Sequence, residues 1–184
     1  MKIIGITGTL GAGKGTVVNY LVNNKGFKHY SVRSFLIKEI ERRGIIVNRD
    51  SMTEVANELR ANHSPSYIIE QLYEKAARYG GNSIIESIRT PGEVDFLKQQ
   101  GNFYLIAVDA DPKVRYNRIT IRASSTDDIS FDTFLANEKR EFTAIDPNKQ
   151  NLSRCIRLAD FVLQNNGSME ELNDQLEEKL GKIL

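Results

Sequence analysis

A short apolar run, Ile3-Ile4-Gly5-Ile6-Thr7, leads straight into Gly8-Thr9-Leu10-Gly11-Ala12-Gly13-Lys14-Gly15-Thr16, and a segment of helical period follows from Lys14 to Asn24. No other stretch of the chain restricts its fold as much. Glycines at 8, 11, 13 and 15 let the backbone take positive φ and approach a ligand closely. A loop of this kind between a strand and a helix turns its amides toward one point, at the positive end of the helix, an arrangement suited to phosphate. Lys14 adds a cation for the outer phosphates of a nucleotide, and a hydroxyl at the helix start suits phosphate or Mg²⁺. In the strict motif Ser or Thr directly follows the lysine; here Gly15 intervenes and the hydroxyl is Thr16. The expected cradle is Gly8, Gly11, Ala12, Gly13, Lys14, Gly15 and Thr16, with Thr16 also a candidate metal contact.

The rest of the chain alternates short β-branched or aromatic runs with longer helical segments, the pattern of an α/β protein. Strands are expected at Ile3–Thr7, Phe27–Ser31, Asn82–Ser87, Phe103–Asp109 and Asp160–Gln164. The first, third and fourth are apolar throughout, as in a parallel sheet covered on both faces. Helices are expected at Lys14–Asn24, Ser34–Arg43, Ser51–Ala61, Ser66–Tyr79, Pro91–Gln99, Pro112–Arg122, Phe131–Phe142, Leu152–Leu158 and Ser168–Leu180. Proline opens two of them and glycine follows several, the usual asymmetry of helix ends. Residues 33–80 insert three helices between the second and third strands, and 123–130 form a polar stretch between two helices. Insertions at the carboxyl ends of strands are where α/β proteins build ligand sites. No linker divides the chain, so residues 1–184 read as one domain.

Composition narrows the function classes. With 25 Lys plus Arg against 24 Asp plus Glu there is no global basic field, which disfavours a nucleic-acid-coating protein. One cysteine, Cys155, excludes an intrachain disulfide framework and fits a reducing compartment. No apolar run approaches the roughly 20 residues of a membrane span, so the expectation is a soluble, cytoplasmic protein. His29 and His63 lack Cys or His partners at metal spacing and read as structural or surface residues. Cys155, Tyr67, Tyr73 and Phe35 read as packing residues.

Charged residues outside the loop supply the remaining site candidates. Glu86 interrupts an apolar strand near its carboxyl end, where a carboxylate needs a reason. It either holds Mg²⁺ through water, orients an acceptor group, or pairs structurally with Arg89. Arg89 sits just past that strand, where its planar fork suits an acceptor phosphate. Arg118 and Arg122 are spaced i and i+4 and share a helix face, which is either catalytic or simply solvated. Arg33 is a second candidate for an acceptor phosphate. Arg42, Arg43, Arg49 and Arg60 give the insertion a basic flavour without singling out a ligand.

The Gly-Lys-Gly-Thr form of the loop resembles that of adenylate kinases and related nucleoside monophosphate kinases. Tyr30–Leu36 stands where those enzymes begin their acceptor-binding helices, Ile84–Thr90 resembles their acid-to-arginine-threonine strand end, and Arg115, Arg118 and Arg122 precede 123–130 as arginines precede their lid. Asp160 to Gly167, with Asn165-Asn166-Gly167, resembles the last strand and the loop bordering adenine. The chain is also similar to small dephospho-CoA-kinase-like proteins, through Glu86–Arg89, Val108–Pro112, Phe134–Glu141 and Leu158–Asp160.

The resemblance implies a three-layer P-loop kinase fold. Its five-stranded parallel sheet would have the order 2-3-1-4-5, with a helical acceptor-binding insertion at about 33–80 and a lid at about 118–140. It implies ATP and Mg²⁺ as cofactors, Lys14, Glu86, Arg118 and Arg122 as catalytic residues, Arg33 and Arg89 as acceptor contacts, and Asn166 and Gly167 near the nucleotide base. The partner is then a small nucleotide-like acceptor, a nucleoside or deoxynucleoside monophosphate ahead of dephospho-CoA, with the protein a monomer or homodimer. A nucleotide-dependent regulatory ATPase is the rival class. Val32-Arg33-Ser34 replaces the Thr-Gly-Asp of adenylate kinases, Glu86 is not followed by their proline, and no four-cysteine lid is present. These departures point away from AMP and from a structural zinc.

Overall fold

The computed structural model describes residues 1–122, 129–143 and 145–184. In chain order these form β1 (Ile3–Gly8), α1 (Lys14–Lys25), β2 (Lys28–Ser31), α2 (Val32–Arg42), α3 (Arg49–Asn62), α4 (Tyr67–Tyr79) and β3 (Ser83–Glu86). There follow α5 (Pro91–Gln99), β4 (Phe103–Asp109), α6 (Pro112–Arg122), α7 (Phe131–Phe142), α8 (Leu152–Arg157), β5 (Phe161–Gln164) and α9 (Met169–Leu180). The strands make one all-parallel sheet in the order β2-β3-β1-β4-β5. The expected P-loop kinase fold class and strand order are what the structure has. Residues 123–128, the centre of the expected lid, lie outside the described residues.

The sheet's alternation divides the apolar residues between two cores. Ile4, Ile6, Ile84, Ile106, Val108 and Leu163 pack with Val17, Leu21, Leu172 and Leu176 of α1 and α9 on one face. Ile3, Ile85 and Leu105 pack on the other face, against helices from the segment between β2 and β3 and from α5. Gly5 has no room for a side chain there: a Cβ would lie 2.5 Å from Ile88 Cδ1 and 2.7 Å from the Phe103 ring. Every residue of β1 is buried, so the strand that carries the glycine loop is gripped from both sides.

Helix caps move three expected boundaries, at α2, at α3 and, by one residue, at α9, where Ser168 is the cap. The Ser31 hydroxyl accepts from Ser34 N, starting α2 at Val32 and placing Arg33 in its first turn. Asn48 and Ser51 form a reciprocal cap, starting α3 at Arg49. Capping residues lie outside the helix they begin; the sequence reading had placed Ser34 and Ser51 at the starts. At α5 the expected start holds, with Thr90 and Glu93 forming the capping box ahead of Pro91.

Candidate active site

The carboxyl ends of β1, β3 and β4 open onto a cleft of about 560 Å³. Its floor is the glycine loop. Gly8, Gly11 and Gly13 have φ of 133°, 77° and 99°, values that only glycine takes without strain. Each also meets a neighbour closely. An added Cβ would come within 2.0 Å of Val108 O at Gly8, 2.5 Å of Arg115 O at Gly11 and 2.1 Å of Asn165 Nδ2 at Gly13. Gly15 has nothing near it, so its place is not dictated by packing. Gly11, Gly13, Lys14, Gly15 and Thr16 line the cleft. Gly8 and Ala12 do not: both are buried beneath it, and the Ala12 carbonyl accepts from Asn165 Nδ2 at 2.8 Å.

The Lys14 ammonium donates to the carbonyls of Gly8 at 2.9 Å and Thr9 at 2.8 Å. By surface area the residue is half-buried, but its ammonium is enclosed by the loop. That desolvation, aided by the positive charges of Arg89 and Arg122 and opposed by Glu86 and Glu141, brings its pKa down to about 7. The loop therefore holds a lysine that is ready to take up charge when an anion arrives.

Glu86, the last residue of β3, lines the same cleft. Burial pushes its pKa up, but the hydrogen bond and charge of His29 and the charges of Lys14 and Arg89 outweigh that, so it falls below the usual range. Its Oε2 lies 3.1 Å from His29 Nε2 on the neighbouring strand. The expected alternative for Glu86, a structural pair with Arg89, is not the arrangement found: its hydrogen-bond partner is His29. Ser87, immediately after Glu86, has φ of 74° and also lines the cleft. A serine in that region is strained, and the turn is held by the amides of Ser87 and Ile88, which both donate to Ile6 O.

Arg89 reaches Glu141 of α7 at 3.0 Å and Gln150 at 2.7 Å. Glu141, which is buried, also accepts from Arg49 of α3. Burial alone would raise the Glu141 pKa, but the two guanidinium groups hold it below the usual range. Arg49, Arg89, Glu141 and Gln150 all line the cleft. Sequence reading singled out only Arg89 of these four. A lone glutamate in the run Lys139-Arg140-Glu141 reads as a solvated face, and no local signal marks Arg49. The sequence signal that existed was the excess of arginines in 33–80.

Arg118 and Arg122 of α6 line the cleft. The Arg118 guanidinium donates to Asn165 O at 2.8 Å and to Asn165 Oδ1 at 3.3 Å. Since Asn165 in turn holds Ala12, Arg118 is joined to the glycine loop through the end of β5. Arg33 is exposed on the cleft's rim. Asn166 and Gly167 are not brought into the cleft. Asn166 Oδ1 accepts from Asp111 N at 2.7 Å, and an added Cβ on Gly167 would run into Glu171. The residue of this loop that meets the glycine loop is Asn165, whose side-chain amide donates to Ala12 O.

The donor set suits a Mg²⁺-phosphate ligand. Thr16 and Glu86 line one cleft with the glycine-loop amides, and Glu86 Oε1 has no hydrogen-bond partner among the described residues. Among those residues no group of three or more His, Cys, Asp or Glu could hold a metal by itself.

The AAA domain family model matches residues 4–145. The UPF0200 protein of Methanococcus vannielii is 30% identical across 100% of this chain and 97% of its own length. This chain belongs to the AAA domain family and to the UPF0200 proteins. The UPF0200 protein of Pyrobaculum aerophilum is likewise 30% identical, over 100% of the chain and 97% of its own length. Solved structures share the fold. Shikimate kinase from Aquifex aeolicus superposes with a TM-score of 0.60 at 16% identity, over 98% of this chain and 96% of that one. A gluconokinase from Sinorhizobium meliloti gives 0.57 at 12%, over 98% and 92%. TT1252 from Thermus thermophilus gives 0.64 at 21%, over 100% and 98%. The expected P-loop kinase fold is thereby met. Among the described residues no helix is long and apolar enough to cross a membrane.

Proposed function

We propose that this UPF0200 protein is an ATP-dependent small-molecule kinase that moves the γ-phosphoryl group onto a nucleotide-like acceptor, a nucleoside or deoxynucleoside monophosphate first. The observation that carries the reading is one cleft in which the glycine loop and Lys14 meet Glu86, Arg89, Arg118 and Arg122. Phosphoryl transfer asks mainly for positioning and for cancellation of charge on the moving group. The loop amides and Lys14 would hold the β and γ phosphates. Thr16 and Glu86 would hold Mg²⁺, which supplies further charge neutralisation when bound. Arg118 and Arg122 face the same space and would meet negative charge as it spreads over the transferred group. The acceptor would lie between α2–α3 and the end of β3, on the side of Arg33 and Arg89. Residues 1–184 would act as one unit, with 33–80 as acceptor region and 118–140 as lid. Its place of action would be the cytoplasm.

A hydroxyl acceptor, as in dephospho-CoA kinase chemistry, is the second reading. Glu86 favours it, because a carboxylate that stays ionised and lines the cleft would accept the hydroxyl proton. The test is ADP release from Mg-ATP with a panel of monophosphates and dephospho-CoA, followed by identification of the phosphorylated product. Acceptor-dependent release that falls by about 100-fold in Glu86→Gln, with nucleotide affinity retained, supports the reading. Mg-ATP binding without any acceptor-stimulated turnover would make the protein a regulatory binder instead.

A further inference from the structure

Among the described residues, two that are not glycine have positive φ, Ser87 at 74° and Asn102 at 49°. Asn102 sits just ahead of β4, and asparagine tolerates the left-handed region. Serine tolerates it less well, so Ser87 is the residue that needs a reason. Its backbone is fixed from both sides. Ile6 O accepts the amides of Ser87 and Ile88 at 3.0 and 3.1 Å. Thr7 Oγ1 donates to Ile88 O at 2.8 Å, and the Ile88 side chain is wholly buried in the core. None of these contacts uses the side chain of residue 87, so they hold the left-handed turn whatever that side chain is.

Glycine would take this φ without strain. The backbone therefore asks for no side chain at 87, and the core gains none, because Ser87 lines the cleft. The hydroxyl does not serve the fold either: it has no hydrogen-bond partner among the described residues. It stands in the cleft wall between Glu86, which is held by His29, and Arg89, which is held by Glu141. A strained residue that its neighbours lock, carrying a polar group that nothing in the fold uses, is the pattern of a group set in place for a ligand.

We infer that Ser87 is a substrate contact of this site, its hydroxyl donating to the oxygen of the acceptor that receives the γ-phosphoryl group. A hydroxyl suits that place better than a further charge. Beside Glu86 it meets an anionic oxygen without adding repulsion, and it can accept as well as donate, so it serves a hydroxyl acceptor equally. The locked turn leaves no backbone to be ordered when the acceptor arrives. The inference rests on the kinase reading and adds to it a residue at the point of transfer.

The test compares the full-length parent with Ser87→Gly and Ser87→Ala. Both remove the hydroxyl; alanine keeps a Cβ at the positive φ and glycine relieves it. Each chain is first titrated by calorimetry with the non-hydrolysable analogue Mg-AMPPNP. ADP release from Mg-ATP is then measured with AMP, CMP, GMP, UMP, dTMP and dephospho-CoA. Ser87→Ala should melt within about 1 °C of the parent, and Ser87→Gly at the parent's temperature or up to about 3 °C above it, because relief of the positive φ offsets the extra freedom that glycine gives the unfolded chain. Both variants should lower kcat/KM for the preferred acceptor by about 10-fold, while Mg-AMPPNP affinity stays within about twofold. Lost turnover in a glycine variant that is no less stable is a result that a purely structural serine cannot give. The inference is overturned if Ser87→Gly turns over the acceptor like the parent, if it melts well below the parent, or if no acceptor is turned over at all. Failure of Mg-AMPPNP to bind the parent overturns the kinase reading itself, so the first titration tells the two failures apart.

Discussion

The lowered pKa of Lys14 would make nucleotide binding, under the proposed function, a proton-uptake reaction, and its size follows from the structure. In the empty cleft the ammonium titrates at about 7, against 10.5 for an ordinary lysine. A bound triphosphate tail favours the charged form and moves that value back up. The sign is then determined. Below about pH 7 the lysine is already charged and binding takes up little; above it, each binding event must collect a proton. With a free pKa of about 7, uptake is about 0.1 proton at pH 6 and about 0.9 at pH 8. Affinity should be greatest on the acid side and weaken about tenfold from pH 6 to pH 8, which is ~1.4 kcal/mol, and about tenfold more per unit until the bound-state pKa is reached. The assay is calorimetric titration of Mg-AMPPNP at each pH in two buffers of different ionisation enthalpy. The difference between the apparent enthalpies counts the protons. Lys14→Arg supplies the reference, because its cation does not titrate in this range, so any residual slope belongs to the nucleotide. Equal enthalpies in the two buffers at pH 8, or the same pH slope in parent and Lys14→Arg, would show that Lys14 is not the group that gains charge on binding.

Three further outcomes follow from the loop's packing. Gly13→Ala puts a Cβ 2.1 Å from Asn165 Nδ2 at a φ of 99°. It should cost about 1–3 kcal/mol in denaturant unfolding and abolish measurable nucleotide binding. Gly15→Ala, next to nothing within 4 Å, should fold normally. Asn165→Ala removes the bond to Ala12 O and the side-chain half of the link to Arg118. Part of the link to Arg118 runs through the Asn165 backbone, so the expected loss is modest, about 1–2 kcal/mol, together with weaker nucleotide affinity in the same titration.

Much of the architecture was legible because the signals that set it are local. The five strands and nine helices expected from periodicity, glycine and proline lie within two residues of those observed at almost every end. The helix starts at Val32 and Arg49 moved because a cap residue precedes the helix it begins. The glycine loop was legible for the same reason: its strand, turn, lysine and helix are contiguous, and positive φ at Gly8, Gly11 and Gly13 follows from the residue type. The strand order came from family resemblance, since periodicity says which segments are strands but not which neighbour each will choose.

By itself, then, the sequence determined a glycine-rich loop on a buried parallel strand, and a carboxylate and an arginine at the end of another. Tertiary structure alone decided the company those groups keep. It paired Glu86 with His29 across two strands, sent Arg89 to Glu141 on α7, brought Arg49 to the same carboxylate, and buried Arg60 against Glu93. It also chose Asn165 over Asn166 and Gly167 to brace the loop. The physical reason is one of range. Backbone preference and capping act over a few residues and leave a mark in spacing, whereas a buried charge finds whichever opposite charge the completed fold delivers, and Arg49 and Glu141 carry no sign of each other until the helices that hold them have packed.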